Sequence, residues 1–190
     1  LEDAYEPGRS MGTFGEDCAA KYGFTRAEQD AFATASVERA KAATASGAFA
    51  AEITPVTVKS RAGETVVSVD EGPGKVKLDK IASLKPAFKK DGTITAASSS
   101  SINDGAAALV MMRASTATKL GCKPLARIVG HATHAQEPEW FATAPLGATQ
   151  KALAKAGWAV GDVDLWEINE AFAVVPMALM KELNLPHDKV

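Results

Sequence analysis

The second half of the chain alternates apolar segments of strand character with segments of helical periodicity, and this alternation restricts the fold more than any other feature. "LARIVGHATHA" and "VDLWEI" predict strands, whereas "LGATQKALAKAG" predicts a helix that ends at Gly157, and residues 171–183 predict a second helix. Pro176 removes a backbone donor inside that second helix and predicts a kink. The alternation predicts an α/β fold.

The segment before this alternation, "TITAASSSSINDGAAALVMM", predicts a strand, a polar crossing and a second strand. The second strand covers about residues 106–112 and is apolar throughout, which is typical of a strand covered on both faces. The serine run at 98–101 is by composition alone a linker. Its position between two apolar segments, followed by an "NDG" turn signal, instead indicates an ordered crossing with polar neighbours.

The first half of the chain carries helix signals of a different kind. "TFGE" and "TRAE" are both capping-box patterns, in which a Thr hydroxyl and a Glu carboxylate bind unpaired amides at a helix start. We expect the two helices that follow to end at Gly23 and Gly47. Residues 55–69 alternate β-branched and polar side chains around Gly63, which predicts a hairpin.

Charge and cysteine content exclude several classes of protein. The 21 basic and 23 acidic residues are dispersed, so the net charge of -2 indicates neither a nucleic-acid partner nor a membrane surface. No apolar run reaches the roughly 20 residues of a membrane span, and the N-terminus has no basic region followed by an apolar one, so we expect neither a membrane span nor a signal peptide and take a cytoplasmic location as the default. The chain begins at Leu1 and not at Met, so we expect it to be part of a longer protein.

Two polar residues, Asn169 and Glu170, stand where an apolar strand is predicted to meet an apolar helix. Asn is a preferred N-cap, and a Glu at the helix start suits the helix dipole, so capping is one interpretation. The other interpretation is a rigid side-chain donor that fixes a water or an oxyanion, because ligands bind at the carboxyl ends of parallel strands. The sequence leaves both open.

The remaining candidate groups indicate structure more than chemistry. His131 and His134 would lie on opposite faces of a strand, so no metal site is predicted. Cys18 shares a helical face with Phe14 and Tyr22, which is typical of an inert core thiol, and Cys122 follows a helix stop with no base near it in sequence.

The boxes "SINDGAAALVMM", "PLGATQKALAKAGW" and "EINEAFAVVP" resemble, in order and spacing, those of the thiolases. The resemblance covers essentially the whole chain. It implies a partial thiolase-like α/β fold: a mixed sheet with covering helices, plus a helical loop-domain insertion with a small hairpin. It also implies a loop domain at residues 1–92, the end of the N-terminal core at 93–121 and the first half of the C-terminal core at 122–190.

The activity that the resemblance implies is acyl transfer between coenzyme A thioesters, either thiolytic cleavage of a 3-ketoacyl-CoA or condensation of two acetyl-CoA molecules. Coenzyme A is then a substrate or product, and no further cofactor is required. The family's nucleophilic Cys, its second Cys and its His match no residue of this chain, so we expect the chain alone to be inactive. Asn169 matches the family's catalytic Asn, which holds a water in an oxyanion hole.

The resemblance also implies a set of residues that bind the pantetheine arm of coenzyme A. Ser100 matches the family's pantetheine-binding Ser, with Phe88 and Ala96 lining the same tunnel. Further residues that border the pantetheine or the acyl group by the same resemblance are Met11, Ala171 and Phe172. The chain departs from relatives at Ser10 and at Phe141, which stands beside the acyl pocket where others carry Met. Lys75 or Lys77 would replace an unmatched Arg at the phosphate end.

The resemblance implies acyl-CoA and CoA as partners and a homo-oligomer, with no nucleic acid and no membrane insertion. One alternative is a non-catalytic, thiolase-like module that binds CoA or acyl lipids, which the flanking sequence would distinguish. A third interpretation, an Ala-rich helical interaction module, is disfavoured by four predicted strands, those around Ile94, Val110, Val129 and Leu165.

Overall fold

The structure is a computed structural model that describes residues 2–190. Its helices are α1 (Met11–Tyr22), α2 (Arg26–Ser46), α3 (Gly72–Lys75), α4 (Ala114–Lys119), α5 (Ala144–Ala156) and α6 (Val174–Leu183). Its strands are β1 (Val56–Ser60) and β2 (Gly63–Val67), and 3-10 turns occupy Leu78–Ser83, Pro138–Thr143, Val160–Asp162 and His187–Lys189. None of the helices described over residues 2–190 has the length and apolarity that a membrane crossing requires.

The chain forms two compact units, which are described separately. The first contains the chain up to Ser100 together with residues 170–174, and the second contains residues 101–169 and 175–190.

Helices α1 and α2 begin and end through local backbone chemistry. Thr25 and Glu28 form the predicted capping box at the start of α2, with the Glu28 amide donating to the Thr25 hydroxyl and the Glu28 carboxylate accepting from the Thr25 amide. Gly23 and Gly47 end the two helices at a φ of 70°, a left-handed conformation that glycine adopts without steric cost. These predictions are confirmed.

The other predicted capping box, "TFGE", does not form, so that prediction is wrong. Helix α1 begins at Met11, and its N-cap is Ser10, whose hydroxyl accepts from the Gly12 amide. Thr13 therefore lies inside the helix. The Glu16 carboxylate accepts from the backbone of Thr93 and Ile94 instead, because two unpaired amides there offer it stronger partners than a helix end.

The core of the first unit is formed where α1 and α2 meet the residues around Ile94. Phe14, Cys18 and Ile94 are almost completely inaccessible to solvent, and the other core members of this unit are Ala19, Phe32, Ala33, Ile81, Phe172, Ala173 and Val174. Glu16 is buried among these side chains. The core thus contains a carboxylate, which is tolerated only because backbone amides satisfy it.

The predicted hairpin at residues 55–69 is confirmed. Strands β1 and β2 pair antiparallel with Val56 opposite Val67 and Ser60 opposite Gly63. Gly63 has a φ of 119°, which a residue with a side chain rarely adopts, so the turn requires glycine there. Both strands are exposed along their whole length.

The other predicted strands are not observed. The residues around Ile94 form no regular strand, and neither do the segments 106–112, 125–135 and 163–168. Leu109 and Val110, predicted to be covered on both faces, are 86% and 90% exposed. A strand exists only where a neighbour accepts its ladder of hydrogen bonds, and residues 2–190 supply no such neighbour for these segments.

Helix α5 ends at Gly157 as predicted, again with a φ of 70°. The last predicted helix begins at Val174 and not at residue 171. Pro176 therefore lies in its first turn, where a backbone amide has no intrahelical partner, so the predicted kink is wrong.

Candidate functional site

The serine run pairs with the residues that precede α6. The Ser100 amide donates to the Ala171 carbonyl at 3.0 Å, and the Ala173 amide donates to the Ser98 carbonyl at 2.9 Å. Between them Ser99 and Phe172 form an antiparallel bridge. Two segments far apart in sequence are thus joined as a short ladder in the first unit, which excludes the linker interpretation of the serine run.

The hydroxyls of the serine run shape its own backbone. The Ser98 hydroxyl accepts from the Thr95 amide at 2.9 Å, and the Ser99 hydroxyl donates to the Thr95 carbonyl at 2.8 Å. Ser98 is buried, whereas Ser100 and Ala96 are exposed. The turn is therefore rigid from its own hydrogen bonds, and it leaves one hydroxyl and one methyl group at the surface.

Two aromatic rings lie beside this ladder. Phe88 and Phe172 meet edge to face, with ring centroids 5.7 Å apart and an interplanar angle of 90°. The Phe88 ring packs directly against Gly12, where an added Cβ would overlap the ring. Met11, next to Gly12 in the sequence, is half-buried.

The first unit thus brings together most of the residues predicted to bind a ligand. We call Phe88, Ala96, Ser100, Ala171 and Phe172 the serine–aromatic cluster. Its polar groups are one exposed hydroxyl and a backbone ladder, and its apolar groups are two rings and two methyl groups.

Sequence reasoning missed the residue that anchors this cluster. The Glu16 carboxylate accepts from the Thr93 and Ile94 amides at 2.9 Å and from the Thr93 hydroxyl at 3.1 Å. The Gln29 amide donates to the same hydroxyl at 2.8 Å. The Ala87 amide in turn donates to the carbonyl of Ile94, the residue whose amide Glu16 binds. Glu16 is therefore linked through Ile94 to Ala87 and its neighbour Phe88. The sequence around Glu16 contains no pattern that predicts its hydrogen bond to Thr93, which lies 77 residues away.

Asn169 is exposed and lies in the second unit. Since α6 begins only at Val174, the interpretation of Asn169 as a helix cap is wrong. Within the described part of the chain its amide makes no hydrogen bond. The next residue is fixed differently: in the first unit, the Ser36 hydroxyl donates to the Glu170 carboxylate at 2.6 Å.

Phe141 also belongs to the second unit, so the structure does not join it to the serine–aromatic cluster. It is half-buried in the turn Pro138–Thr143. An open groove of about 390 Å³ in the same unit contains none of the predicted site residues; its wall includes Arg127, Val129, Leu153, Trp158 and Trp166.

The two thiols differ sharply in environment. Burial raises the pKa of the Cys18 thiol to about 11, so this residue stays protonated and unreactive at neutral pH. Cys122 is exposed and makes only a long contact to the Leu120 carbonyl. Within residues 2–190 neither thiol makes a hydrogen bond to a His, Asp or Glu side chain of the kind that activates a nucleophilic cysteine. Across residues 2–190, His, Cys, Asp and Glu form no group that could hold a metal ion.

Comparison with known proteins matches both halves of the chain to one family. The model for the thiolase N-terminal domain matches residues 1–115, and that for the thiolase C-terminal domain matches residues 122–190. The chain is 50% identical to a probable acetyl-CoA acetyltransferase of Dictyostelium discoideum, covering 100% of this chain and 46% of the relative. The acetyl-CoA acetyltransferase of Paracoccus denitrificans is 49% identical, with coverage of 91% and 44%.

Solved structures agree with these matches. The crystal structure of the Bacillus anthracis acetyl-CoA acetyltransferase superposes with a TM-score of 0.95 at 43% identity, over 100% of this chain and 48% of that one. The enzyme of the same name from Syntrophomonas wolfei gives a TM-score of 0.84 at 38% identity, over 96% and 47%. The chain spans about half the length of these relatives. The predicted thiolase-like fold is confirmed, and the chain belongs to the thiolase family.

Proposed function

We propose that the full-length protein transfers acyl groups between coenzyme A thioesters, by thiolytic cleavage of a 3-ketoacyl-CoA or by condensation of two acetyl-CoA molecules. Relatives about half identical to this chain carry the name acetyl-CoA acetyltransferase. The observation that carries the proposal is the ladder between the serine run and Ala171–Ala173, because it gathers the serine–aromatic cluster from distant segments.

The pantetheine arm of coenzyme A is the ligand that this cluster suits. It is a flexible thread with two amides, so it needs a few polar partners along an otherwise apolar wall. We assign the exposed Ser100 hydroxyl to one of these amides and the surfaces of Phe88, Ala96, Ala171 and Phe172 to the methylene groups. Met11 borders the same thread, and Phe141 borders the acyl group.

We assign Asn169 to the thioester oxygen. Its amide is exposed and uncommitted to hydrogen bonds in residues 2–190, so it is free to hold a water molecule. Together with a His supplied by the remainder of the full-length protein, that water would stabilise the negative charge that develops on the oxygen. A donor held in place before the reaction stabilises the transition state without reorganisation.

The nucleophilic Cys and the second Cys are then also supplied by the remainder of the full-length protein, since Cys18 is buried and Cys122 lacks a base. The 190-residue chain is inactive by itself. It comprises a loop domain at residues 1–92, the end of the N-terminal core at 93–121 and the first half of the C-terminal core at 122–190. We further propose a cytoplasmic homo-oligomer in fatty-acid metabolism that requires no added cofactor.

Thiolysis of acetoacetyl-CoA by the full-length protein tests this function. We expect Asn169→Ala to lower turnover roughly 100- to 1000-fold, as the loss of one preorganised donor does. Asn184→Gly is the matched control, because Asn184 is exposed at a φ of 52°, a conformation that glycine adopts easily. Full turnover in Asn169→Ala would remove this residue from the chemistry. Binding of coenzyme A without turnover by the wild type would indicate the non-catalytic binding module instead.

A further inference from the structure

A carboxamide in the second unit holds the turn that carries Phe141. The Gln136 amide nitrogen donates one hydrogen to the Trp140 carbonyl and the other to the Thr143 hydroxyl, the latter at 2.8 Å. The Thr143 hydroxyl donates its own hydrogen to the Trp140 carbonyl at 3.0 Å. The side chain of Gln136 therefore ties together both ends of the short segment in which Phe141 lies.

The remaining atom of this carboxamide determines the state of a histidine. The Gln136 Oε1 atom can only accept, and it lies 3.0 Å from the Nε2 atom of His134. Nε2 must carry the proton, which leaves Nδ1 of a neutral ring as an acceptor. The Lys151 ammonium lies 3.1 Å from Nδ1 and donates to it. Each of these contacts then joins one donor to one acceptor.

Helix α5 provides the base of the arrangement. Lys151 lies on α5 and also donates to the Thr133 carbonyl at 3.3 Å. The His134 ring packs against Gly147 of the same helix, where an added Cβ would lie 2.6 Å from the ring. The turn itself is not regular, since Trp140 has non-helical angles of φ -103° and ψ 19°. Its shape therefore depends on Gln136 more than on its own backbone pattern.

We propose that Gln136 is a positioning residue that sets acyl-chain selectivity by fixing the ring of Phe141 beside the acyl group. The proposal rests on the function proposed above and names its substrate class as short-chain 3-ketoacyl-CoA thioesters. A ring on a locked turn keeps the acyl pocket short, because it cannot move aside for additional methylene groups. When the turn is released, the ring can move and a longer chain can enter.

The experiment compares Gln136→Leu with wild type in the full-length protein, using acetoacetyl-CoA and 3-ketooctanoyl-CoA. We expect the ratio of kcat/KM for the short over the long substrate to fall roughly 5- to 10-fold, within the range that methylene discrimination spans. Gln150→Leu is the matched control, because Gln150 is an exposed residue of α5, and its ratio stays unchanged. Phe141→Ala should shift the ratio in the same direction and further.

Thr143→Val is a second variant, which keeps the shape of the side chain and removes the hydroxyl that accepts from the Gln136 amide. It should also lower the ratio of kcat/KM for the short over the long substrate. An equal loss on both substrates would indicate a purely structural role and overturn the inference. An unchanged ratio in Gln136→Leu and Thr143→Val would overturn it as well. If the wild-type protein cleaves neither substrate, the proposed function itself fails, and that result is distinct from an active enzyme with unchanged selectivity.

Discussion

The first unit buries its apolar residues, whereas a long part of the second unit exposes them. Phe14 and Ile94 are 1% and 0% exposed, while Ile102 and Val110 are each 90% exposed. The two regions differ in their interaction partners. In the first unit, side chains of α1 and α2 bind Thr93, just before the serine run. The apolar segment at 101–112 has no strand to pair with in residues 2–190.

This difference shows that local signals and pairing partners contribute separately to the fold. Residues adjacent in sequence set both ends of α2 and the left-handed glycine ends of α1 and α5. A buried strand is defined only by its neighbours, since an unpaired ladder of amides and carbonyls cannot be buried. We therefore expect substitutions to be costly in the first region and nearly neutral in the second.

The largest expected effect is the contrast between Phe14→Ala and Leu109→Ala in the 190-residue chain. Phe14→Ala should cost about 3–5 kcal/mol of unfolding free energy, because it leaves a cavity in the core. Leu109→Ala should stay within about 0.5 kcal/mol, because its side chain is already in water. Urea denaturation measures both. Comparable losses in the two variants would show that the segment around Leu109 is packed in this chain.

A smaller effect is expected at the buried carboxylate that anchors the serine–aromatic cluster. Glu16→Gln replaces one acceptor oxygen with an amide that faces backbone donors, and it should cost about 2–3 kcal/mol. Glu38→Gln makes the same chemical change at an exposed site on α2 and should cost less than about 0.5 kcal/mol. Equal denaturation midpoints for these two variants would contradict the anchoring role.

The smallest effect on stability is expected from chemical modification of the thiols. This experiment compares the two regions only by the solvent accessibility of their cysteines. At pH 8, maleimide should modify Cys122 in the native full-length protein and leave Cys18 untouched, as peptide mapping would show. Burial raises the pKa of Cys18 from 9.0 to about 11. As the pH rises, the thiol therefore ionises in the unfolded state before it ionises in the folded state. The stability that the protonated thiol contributes is lost between pH 9.0 and about pH 11. Modification of Cys18 at the rate of Cys122 would contradict the packed core.

Several features were predictable from sequence because their causes are local. The capping box at Thr25, the glycines that end α1, α2 and α5, and the hairpin turn at Gly63 each depend on a few adjacent residues. The serine run was predictable as an ordered crossing because apolar segments flank it.

The failures share one physical origin, which is a partner distant in sequence. Glu16 matches a local cap, but its amide partners belong to Thr93 and Ile94. The residues before α6 match a helix start, but Ala171 and Ala173 pair with the serine run instead. The roles assigned to Asn169, Ser100 and the other site residues stay predictions.

Hydrogen exchange of the full-length protein with and without coenzyme A tests most directly whether the serine run and the segment 171–173 form one binding surface. We predict that coenzyme A slows exchange of the amides at 98–100 and 171–173 together, while the exposed hairpin β1–β2 exchanges at the same rate in both samples. Unchanged exchange in both segments at saturating coenzyme A, or protection of only one of them, would contradict the account.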